Sequence, residues 1–191
     1  MITMNITIKA VLIGDGGVGK TSLRERYLGR GFSANYMMTI GADFALKQVK
    51  IKNGDKFQVI NVQIWDLAGQ VHFSKVRTLY YKGLKGLLAV FDVTRDTSYT
   101  NLLNWVNEIK SVVDDTSKIP IVLIGNKIDL RIEGESSHIS TELGVKMADQ
   151  FSDLLSDGRL PVTYIETSAK TGENVENAFN KLVETIVKVN S

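Results

Sequence analysis

Short apolar runs alternate with helical patterns along the whole chain of 191 residues. Four runs are apolar at nearly every position, which is typical of parallel strands that are buried on both faces. They are residues 8–14 (IKAVLIG), 86–93 (GLLAVFDV), 119–126 (IPIVLIGN) and 160–167 (LPVTYIET). Residues 100–113 (TNLLNWVNEIKSVV) have a helical pattern instead. We therefore predict an α/β fold, in which helices cover both faces of a parallel sheet.

A further amphipathic helix is predicted near the end of the chain. Its apolar residues recur at helical spacing and would form one stripe that packs on the sheet. They are Val175, Ala178, Phe179, Leu182, Val183 and Ile186.

One pair of predicted strands follows in sequence without a helical pattern between them. Residues 43–51 (DFALKQVKI) and 57–65 (FQVINVQIW) are separated by a short segment that contains Asn53-Gly54. Asn-Gly between two strand patterns is the strongest short signal for a β-hairpin. The sheet should therefore be mostly parallel with one antiparallel edge strand.

Since repeats and linker composition are absent, residues 1–191 are predicted to form a single domain.

Composition excludes several classes of function. The 23 Lys and Arg residues nearly balance the 21 Asp and Glu residues, so no basic surface for nucleic acid is indicated. The absence of cysteine excludes disulfides, thiolate metal sites and cysteine-linked lipid anchors on this chain. No signal peptide is recognisable, and no apolar run approaches the roughly 18 residues of a membrane-spanning helix. We expect a soluble, cytoplasmic monomer without an intrinsic membrane anchor.

A phosphate-binding loop follows the first strand. Residues 14–21 (GDGGVGKT) match G-x-x-x-x-G-K-[ST] between a buried strand and a helix. The glycines allow backbone N–H groups to surround phosphate oxygens at the N-terminus of the helix. Lys20 should reach the β- and γ-phosphates, and the Thr21 hydroxyl should bind Mg²⁺. The predicted nucleotide-binding residues here are Asp15, Gly16, Gly17, Val18, Gly19, Lys20, Thr21 and Ser22.

Two later strand ends carry residues suited to a guanine base. In residues 125–129 (GNKID), the Asp129 carboxylate can accept two hydrogen bonds from guanine, a donor pair that adenine lacks. Lys127 would lie along the base, and Asn126 would tie this loop to the phosphate loop. The last strand ends in Ser168, Ala169 and Lys170, where the Ala169 N–H could meet the guanine carbonyl oxygen.

The second strand of the hairpin ends in WDLAGQ, residues 65–70. Asp66 should lie beside the phosphate loop, near the Mg²⁺ and joined to it through water. Gly69 can bring its N–H close to the γ-phosphate because it has no side chain. The Gln70 amide lies where it could orient an attacking water, a recognised role in phosphoryl transfer. Gln70, Lys20 and Gly69 are therefore predicted to be catalytic residues.

These motifs, in this order, resemble the Ras superfamily of small GTPases, and most closely its Rab branch. Residues 36–44 (YMMTIGADF), 63–70 (QIWDLAGQ) and 79–86 (LYYKGLKG) carry the Rab likeness. The resemblance implies the three-layer P-loop NTPase fold, with six strands, about five helices, and switch segments near 32–42 and 66–80. It also implies that Thr39 is a further catalytic residue, which binds Mg²⁺ and γ-phosphate. Phe32 would stack against guanine, and Tyr36 would cover the phosphates.

The function implied is a GTP-binding switch that slowly hydrolyses GTP to GDP. Effectors, exchange factors and GTPase-activating proteins are the partners expected from the resemblance. We identify no arginine finger in cis, and Arg30 and Arg77 near the switches are interpreted as surface charges. Two alternatives remain open at this point: a nucleotide-locked binding module without activity, and a P-loop ATPase or small-molecule kinase.

The chain departs from the Rab pattern in three places. Val71 replaces the usual glutamate after the catalytic glutamine and is followed by His72, which puts conventional nucleotide exchange in doubt. The stretch between 128 and 165 is longer than usual and should form a surface loop and a longer helix. The chain ends without the lipidated cysteine tail of Rab proteins. Either a tail has been removed, or the protein is an unlipidated prokaryotic or archaeal relative, which the complete absence of cysteine favours.

Overall fold

The computed structural model describes residues 6–32, 39–53, 56–69, 77–132 and 134–190. Six strands lie within these ranges: β1 (Ile6–Ile13), β2 (Ala42–Asn53), β3 (Lys56–Leu67), β4 (Gly86–Asp92), β5 (Ile121–Asn126) and β6 (Thr163–Thr167). The α-helices of the described residues are α1 (Lys20–Tyr27), α2 (Asp96–Thr100), α3 (Leu102–Lys110), α4 (Thr141–Ser156) and α5 (Val175–Val189). Three 3₁₀ turns, Thr78–Tyr81, Thr116–Lys118 and Ile128–Leu130, connect them.

The six strands form one sheet in the order β2-β3-β1-β4-β5-β6. All neighbours are parallel except β2 and β3, which pair antiparallel from Ala42 opposite Leu67 to Asn53 opposite Lys56. The predicted mostly parallel sheet with one antiparallel edge strand is confirmed.

The register brings the polar strand ends to one edge of the sheet. Leu12 of β1 lies opposite Asp66 of β3, so the phosphate loop and the end of β3 are neighbours. On the other side, Asn126 of β5 lies opposite both Asp92 of β4 and Thr167 of β6. Because ligands of open α/β sheets bind beyond the carboxyl ends of the strands, this edge is where the site is expected.

Helices cover both faces of the sheet and make three layers. The amphipathic stripe of α5 and the apolar side of α1 pack on one face, where Phe179 and Leu23 are fully buried. Helices α3 and α4 cover the other face through residues such as Val106 and Phe151. All six apolar residues predicted for the α5 stripe are buried.

Some boundaries differ from the sequence prediction. The predicted helix over 100–113 corresponds to α3, Leu102–Lys110, and Thr100 ends the preceding helix α2. At the end of α3, the Ser111 hydroxyl donates to the Glu108 carbonyl. Such local side-chain bonds compete with continuation of a helix. Strand β6 begins at Thr163, two residues after Pro161, and β5 begins immediately after Pro120. Proline lacks the N–H that a ladder position requires.

The described helices include none that is both long and apolar enough to cross a membrane.

Truncation of Phe179 tests the α1–α5 layer. Its ring is fully buried and stacks on Tyr27 at a centroid distance of 4.1 Å. Phe179→Ala should lower the free energy of unfolding by about 3–5 kcal/mol, since it removes a large core side chain. Phe57→Ala, at a phenylalanine that is 69% exposed, is the control. Urea unfolding monitored by circular dichroism measures both, and equal losses would contradict this account of the core.

Candidate functional site

The phosphate loop is residues 14–19, between β1 and α1. Its last residue, Gly19, has a φ of +100°, and a Cβ there would lie 2.3 Å from Asn126 Nδ2. Only glycine accommodates both the backbone conformation and this close approach. The predicted residues Gly16, Gly17 and Val18 lie in the loop, and Ser22 lies half-buried on the first turn of α1.

Lys20 begins α1 and is buried beneath the loop. Its ammonium group donates to the carbonyl oxygens of Gly14 at 2.6 Å and Asp15 at 2.9 Å. Burial lowers the pKa of Lys20 to about 8, although the charges of Asp66 and Asp15 oppose that shift. A phosphate would restore the favourable environment for the charged form, as required of a phosphate-binding lysine.

The loop is braced by residues that the sequence motifs did not reveal. The Asp15 carboxylate accepts from Asn101 Nδ2 at 2.8 Å and from Trp105 Nε1, on α3, at 3.0 Å. Arg95 Nη2 donates to the Gly16 carbonyl at 2.9 Å. These contacts fix the phosphate loop to the segment after β4. Sequence carried no local signal for them, because each joins residues far apart in the chain.

Three predicted metal-binding side chains meet at the end of β3. Thr21 Oγ1 donates to Asp66 Oδ2 at 2.5 Å and lies 3.1 Å from Thr39 Oγ1. Thr39 Oγ1 lies 3.5 Å from the same carboxylate oxygen. Burial raises the pKa of Asp66, while the Thr21 hydrogen bond and the Lys20 charge oppose the rise. We call these three residues the hydroxyl–carboxylate cluster.

The chemistry of this cluster fits Mg²⁺. All three donors are hard oxygen ligands, which Mg²⁺ prefers. Asp66 Oδ1 is buried and has no hydrogen-bond partner among the described residues. An unpaired buried carboxylate oxygen is costly, and a cation or its water would satisfy it.

Helix α1 also places a buried positive charge beside the cluster. Asp43 of β2 lies directly opposite Asp66 across the hairpin, a like-charge pair that is unfavourable without compensation. Arg24 is 5% exposed and its guanidinium contacts Asp43 at 2.7 Å. This ion pair ties the residues after Thr39 to α1.

Gly69 packs directly against the phosphate loop. A Cβ on Gly69 would lie 2.4 Å from the Asp15 carbonyl carbon and from the Gly16 nitrogen. Backbone atoms cannot yield to such contacts as a flexible side chain can. Glycine at this position therefore allows the segment after β3 to touch the loop.

Asn126 connects the phosphate side of the site to the base side. Its Nδ2 donates to the Val18 carbonyl at 2.8 Å. Its Oδ1 accepts from Thr167 Oγ1 at 3.0 Å and from the Ala169 N–H at 3.1 Å. One buried side chain thus holds the ends of β5 and β6 against the phosphate loop.

The predicted base-reading residues also lie together. The Ser168 hydroxyl donates to Asp129 Oδ1 at 2.6 Å, and Lys170 Nζ lies 3.9 Å from the other oxygen of that carboxylate. Lys127 has a φ of +70°, and its ammonium pairs with Asp92 at 2.6 Å. Phe32 is 44% exposed, so it is not a core residue, and its stacking against guanine stays a prediction.

Four residues singled out by sequence, Tyr36, Gln70, Val71 and His72, lie outside the described residues.

The interpretation of Arg77 as a surface charge is wrong. Arg77 is 4% exposed and makes two hydrogen bonds to the Glu108 carboxylate, at 3.0 and 2.7 Å. It also donates to the Ala68 carbonyl at 3.2 Å and stacks over Trp105 at 4.1 Å. Sequence analysis did not identify Glu108 as the partner of Arg77. A buried guanidinium needs a paired carboxylate, and Glu108 provides it. Arg30 is exposed, as predicted.

The additional segment after Asp129 forms a loop and the 16-residue helix α4, as predicted. It contacts strand β6 through Glu166. Arg131 pairs with Glu166 at 2.7 Å, and the Thr141 hydroxyl donates to the same carboxylate at 2.9 Å. The segment therefore packs against the strand that leads to Ser168, Ala169 and Lys170, three of the predicted base-binding residues.

Comparison with known proteins agrees with this geometry. A family model described as "Ras family" matches residues 9–188. The chain belongs to the Ras family. Its relatives include Ras-related protein Rab7 of Cenchrus ciliaris, 39% identical over 95% of this chain and 82% of the relative. RABG3e of Arabidopsis thaliana is 41% identical over 90% and 78%, and Rab-8 of Diplobatis ommata is 36% identical over 97% and 80%.

These relatives identify the protein as a small GTPase of the Rab branch. In this Rab-branch protein, the phosphate loop, the hydroxyl–carboxylate cluster and the base-side loops adjoin at one sheet edge.

Removal of Glu108 tests the buried ion pair of this GTPase. Glu108→Ala leaves the buried Arg77 guanidinium without its carboxylate, so we expect a loss of about 3–5 kcal/mol in the free energy of unfolding. Lys118→Ala, which breaks an exposed pair with Asp115 of 3.4 Å, should cost at most about 1 kcal/mol. Both losses are measured by urea unfolding at the same excess of GDP. A loss for Glu108→Ala as small as that of the control would refute the buried role.

Proposed function

We propose that this protein is a molecular switch that binds GTP, hydrolyses it slowly to GDP and phosphate, and presents a different surface in each state. The observation that carries the proposal is the hydroxyl–carboxylate cluster. In it, Thr39 from the first predicted switch segment and Asp66 from the second meet Thr21 of the phosphate-binding helix within 3.5 Å.

The phosphate groups would be held by the loop and by Lys20. The loop's backbone N–H groups and the N-terminus of α1 favour anions. The Lys20 ammonium, now bonded to two loop carbonyls, is already buried at this position. Its bonds to the loop keep the side chain oriented before the ligand arrives, which reduces the cost of ordering it on binding.

Thr21, Thr39 and Asp66 are proposed to hold Mg²⁺, with Asp66 acting through water. When bound, the metal neutralises negative charge on the β- and γ-phosphates. Thr39 would contact the metal only while the γ-phosphate is present. This dependence would make residues 39–43 sensitive to the state of the nucleotide.

The second switch contact is proposed for Gly69, whose backbone is packed on Asp15 and Gly16. Its N–H would bind the γ-phosphate, and Gln70 would orient the attacking water. Hydrolysis would remove the group that Thr39 and Gly69 both bind, and so release both segments together.

Guanine selectivity is proposed for Asp129, with Asn126, Lys127, Ser168, Ala169 and Lys170 in support. The Asp129 carboxylate is anchored by the Ser168 hydroxyl, which limits its rotation. A fixed carboxylate can accept from the ring N–H and the exocyclic amine of guanine at once.

The placement of two nearby arginines supports the proposal of a slow intrinsic rate. Arg77 is held by Glu108 and Arg95 by the Gly16 carbonyl. A GTPase-activating protein that supplied its own arginine could accelerate hydrolysis by up to about 10⁵-fold. Exchange factors and effectors are further partners proposed from the family resemblance.

Binding and single-turnover measurements test the proposed activity. Calorimetric titration should show much tighter binding of GTP than of ATP. Comparable affinities would favour an ATPase or kinase. Pre-bound GTP should then be converted to GDP and phosphate over minutes to hours. Retention of intact GTP would instead indicate a nucleotide-locked binding module.

Asp129→Asn tests the base-reading carboxylate. The amide replaces one carboxylate oxygen by an NH₂ group, a donor that would face a donor of guanine. GTP affinity should therefore fall by at least about tenfold, which corresponds to about 1.4 kcal/mol. Xanthosine triphosphate, with a carbonyl in place of the amine, should gain affinity over wild type. Competition against a fluorescent nucleotide measures both. Glu173→Gln, an exposed carboxylate in the loop after β6, is the control. Unchanged preference for guanine in Asp129→Asn would reject this role.

Gln70→Leu tests the water-orienting amide. Leucine cannot hydrogen-bond to water, so single-turnover hydrolysis should slow by at least about tenfold, within the range of such catalytic groups. Affinity for GTP should stay within a few-fold of wild type, because the amide is not proposed to bind the ground state. His72→Ala, two residues away, is the control and should hydrolyse GTP normally. An unaltered rate in Gln70→Leu would exclude the proposed role.

A further inference from the structure

Arg95 approaches the phosphate loop from the segment after β4. Its backbone is fixed, because its N–H donates to the Asp92 carbonyl at 3.0 Å and its carbonyl accepts from the buried Ser98 hydroxyl at 2.7 Å. From this fixed backbone, Nη2 donates to the Gly16 carbonyl at 2.9 Å. Nη1 lies 3.7 Å from the position that a Cβ on Gly17 would take. One guanidinium therefore lies against the peptide group between Gly16 and Gly17.

That peptide group is the one in the phosphate loop with glycine on both sides. Rotation of a peptide plane changes ψ of the residue before it and φ of the residue after it. Glycine lacks the Cβ that restrains both angles, and Gly17 already has a φ of +78°. A contact from outside the loop is therefore needed to fix the orientation of this peptide plane, and Arg95 provides one.

The planarity of the peptide links the Arg95 contact to the Gly17 N–H. The peptide bond is trans, so its carbonyl and its N–H point in opposite directions. The Gly16 carbonyl and the Gly17 N–H belong to the same peptide group. The bond from Arg95 to the carbonyl thus directs the N–H away from Arg95. In a glycine-rich phosphate loop, such N–H groups surround the phosphate oxygens.

Arg95 also adds positive charge close to Lys20. Burial is the main cause that lowers the pKa of Lys20, and the Arg95 charge lowers it further. Two like charges close together repel each other, and the negative charge of a bound phosphate would offset that repulsion. The charge of Arg95 therefore favours the same ligand as its hydrogen bond to the loop.

We propose that Arg95 is a positioning residue for phosphate binding, which fixes the Gly16–Gly17 peptide so that the Gly17 N–H donates to a phosphate oxygen of the nucleotide. The inference rests on the proposed nucleotide binding and deepens it. Arg95 would act through the peptide and would not touch the nucleotide. Its loss should weaken the bond from Gly17 and leave the other N–H contacts of the loop in place.

Another peptide group of the loop provides an internal control. The Val18 carbonyl and the Gly19 N–H belong to one peptide group, and this carbonyl accepts from Asn126 Nδ2 at 2.8 Å. Asn126 is itself bonded to Thr167 and Ala169, on the far side of the site from Arg95. The orientation of the Gly19 N–H should therefore not depend on Arg95.

Lys110→Met is the matched control variant. The Lys110 ammonium also donates to a backbone carbonyl, that of Leu154 in α4, at 3.0 Å. Lys110→Met therefore removes one positive charge and one bond to a backbone carbonyl, as Arg95→Met does, but away from the phosphate loop.

Nuclear magnetic resonance of the full chain bound to GDP and Mg²⁺ measures the individual N–H bonds. Scalar coupling from an amide nitrogen to phosphorus through a hydrogen bond is observed where the N–H donates to a phosphate oxygen. The couplings of the Gly17 and Gly19 nitrogens are compared in wild type, Arg95→Met and Lys110→Met. Competition against a ribose-labelled fluorescent GDP gives the dissociation constants of the same proteins.

Both nitrogens should couple to phosphorus in wild type. Arg95→Met should lose most of the Gly17 coupling and keep the Gly19 coupling. Its affinity for GDP should fall on the order of tenfold, the size of one hydrogen bond to a charged group. Lys110→Met should match wild type in both couplings and in affinity. Arg95→Lys, which keeps the charge and a donor but not the planar guanidinium, should restore part of the Gly17 coupling.

Four results would overturn the inference: no Gly17 coupling in wild type, an unchanged Gly17 coupling in Arg95→Met, an equal loss at Gly17 and Gly19, or the same loss in Lys110→Met. Weaker GDP binding with an unchanged coupling is what charge attraction alone would give, and an equal loss is what a general loosening of the loop would give. If Arg95→Met does not fold, Arg95→Lys gives the same comparison with a smaller expected change. Failure of the proposed function is distinct, because wild type itself would then bind GDP no more tightly than ADP.

Discussion

The hydrogen bond from Thr21 to Asp66 is the interaction on which the rest of the site depends. It joins the first turn of α1 to the end of β3 at 2.5 Å, and the parallel register of β1 with β3 makes that approach possible. Thr39 is drawn to the same carboxylate. Because Asp66 is 1% exposed, its charge needs partners, and the structure provides two hydroxyls and nearby cationic side chains. A buried carboxylate at the carboxyl edge of the sheet thus brings together the three chain segments that are proposed to surround the phosphates.

Around this centre, the recognition residues of the motifs are held by residues outside the motifs. The phosphate loop is fixed by Trp105 through Asp15 and by Arg95 through Gly16. The Ala68 carbonyl, next to Gly69, is held by Arg77. Such supporting contacts keep recognition groups in place before the ligand binds, and this preorganisation is the general source of tight and selective binding. The motifs resemble those of the Ras family, whereas the supporting contacts are observed in the structure of this chain.

Sequence predicted the parts of the fold that rest on local pattern. The apolar runs predicted the parallel strands because a strand buried on both faces must be apolar throughout. The expectation of full burial is wrong for β6, which lies at the edge of the sheet and is half-buried from Thr163 to Glu166. Asn53-Gly54 predicted the hairpin. The phosphate loop was recognisable because its glycines and its lysine lie within one short stretch of sequence. The prediction from sequence failed for side chains whose contact partners lie far away in the sequence. Arg77 was misassigned because Glu108 lies 31 residues away, and the contact between Trp105 and Asp15 spans 90 residues. Which charged residues become buried depends on how α3 packs, and local periodicity does not contain that information.

Amide hydrogen exchange of the Mg²⁺ complexes with GDP and with a non-hydrolysable GTP analogue tests the central claim most directly. The claim is that the γ-phosphate holds Thr39 and Gly69 through the site around Asp66. Exchange at residues 39–43 and 66–69 should be slower in the GTP-analogue complex than in the GDP complex. Exchange in β5 (Ile121–Asn126) should be the same in both. Equal exchange of the two segments in both complexes would contradict the account, because the γ-phosphate would then make no difference to the residues proposed to bind it.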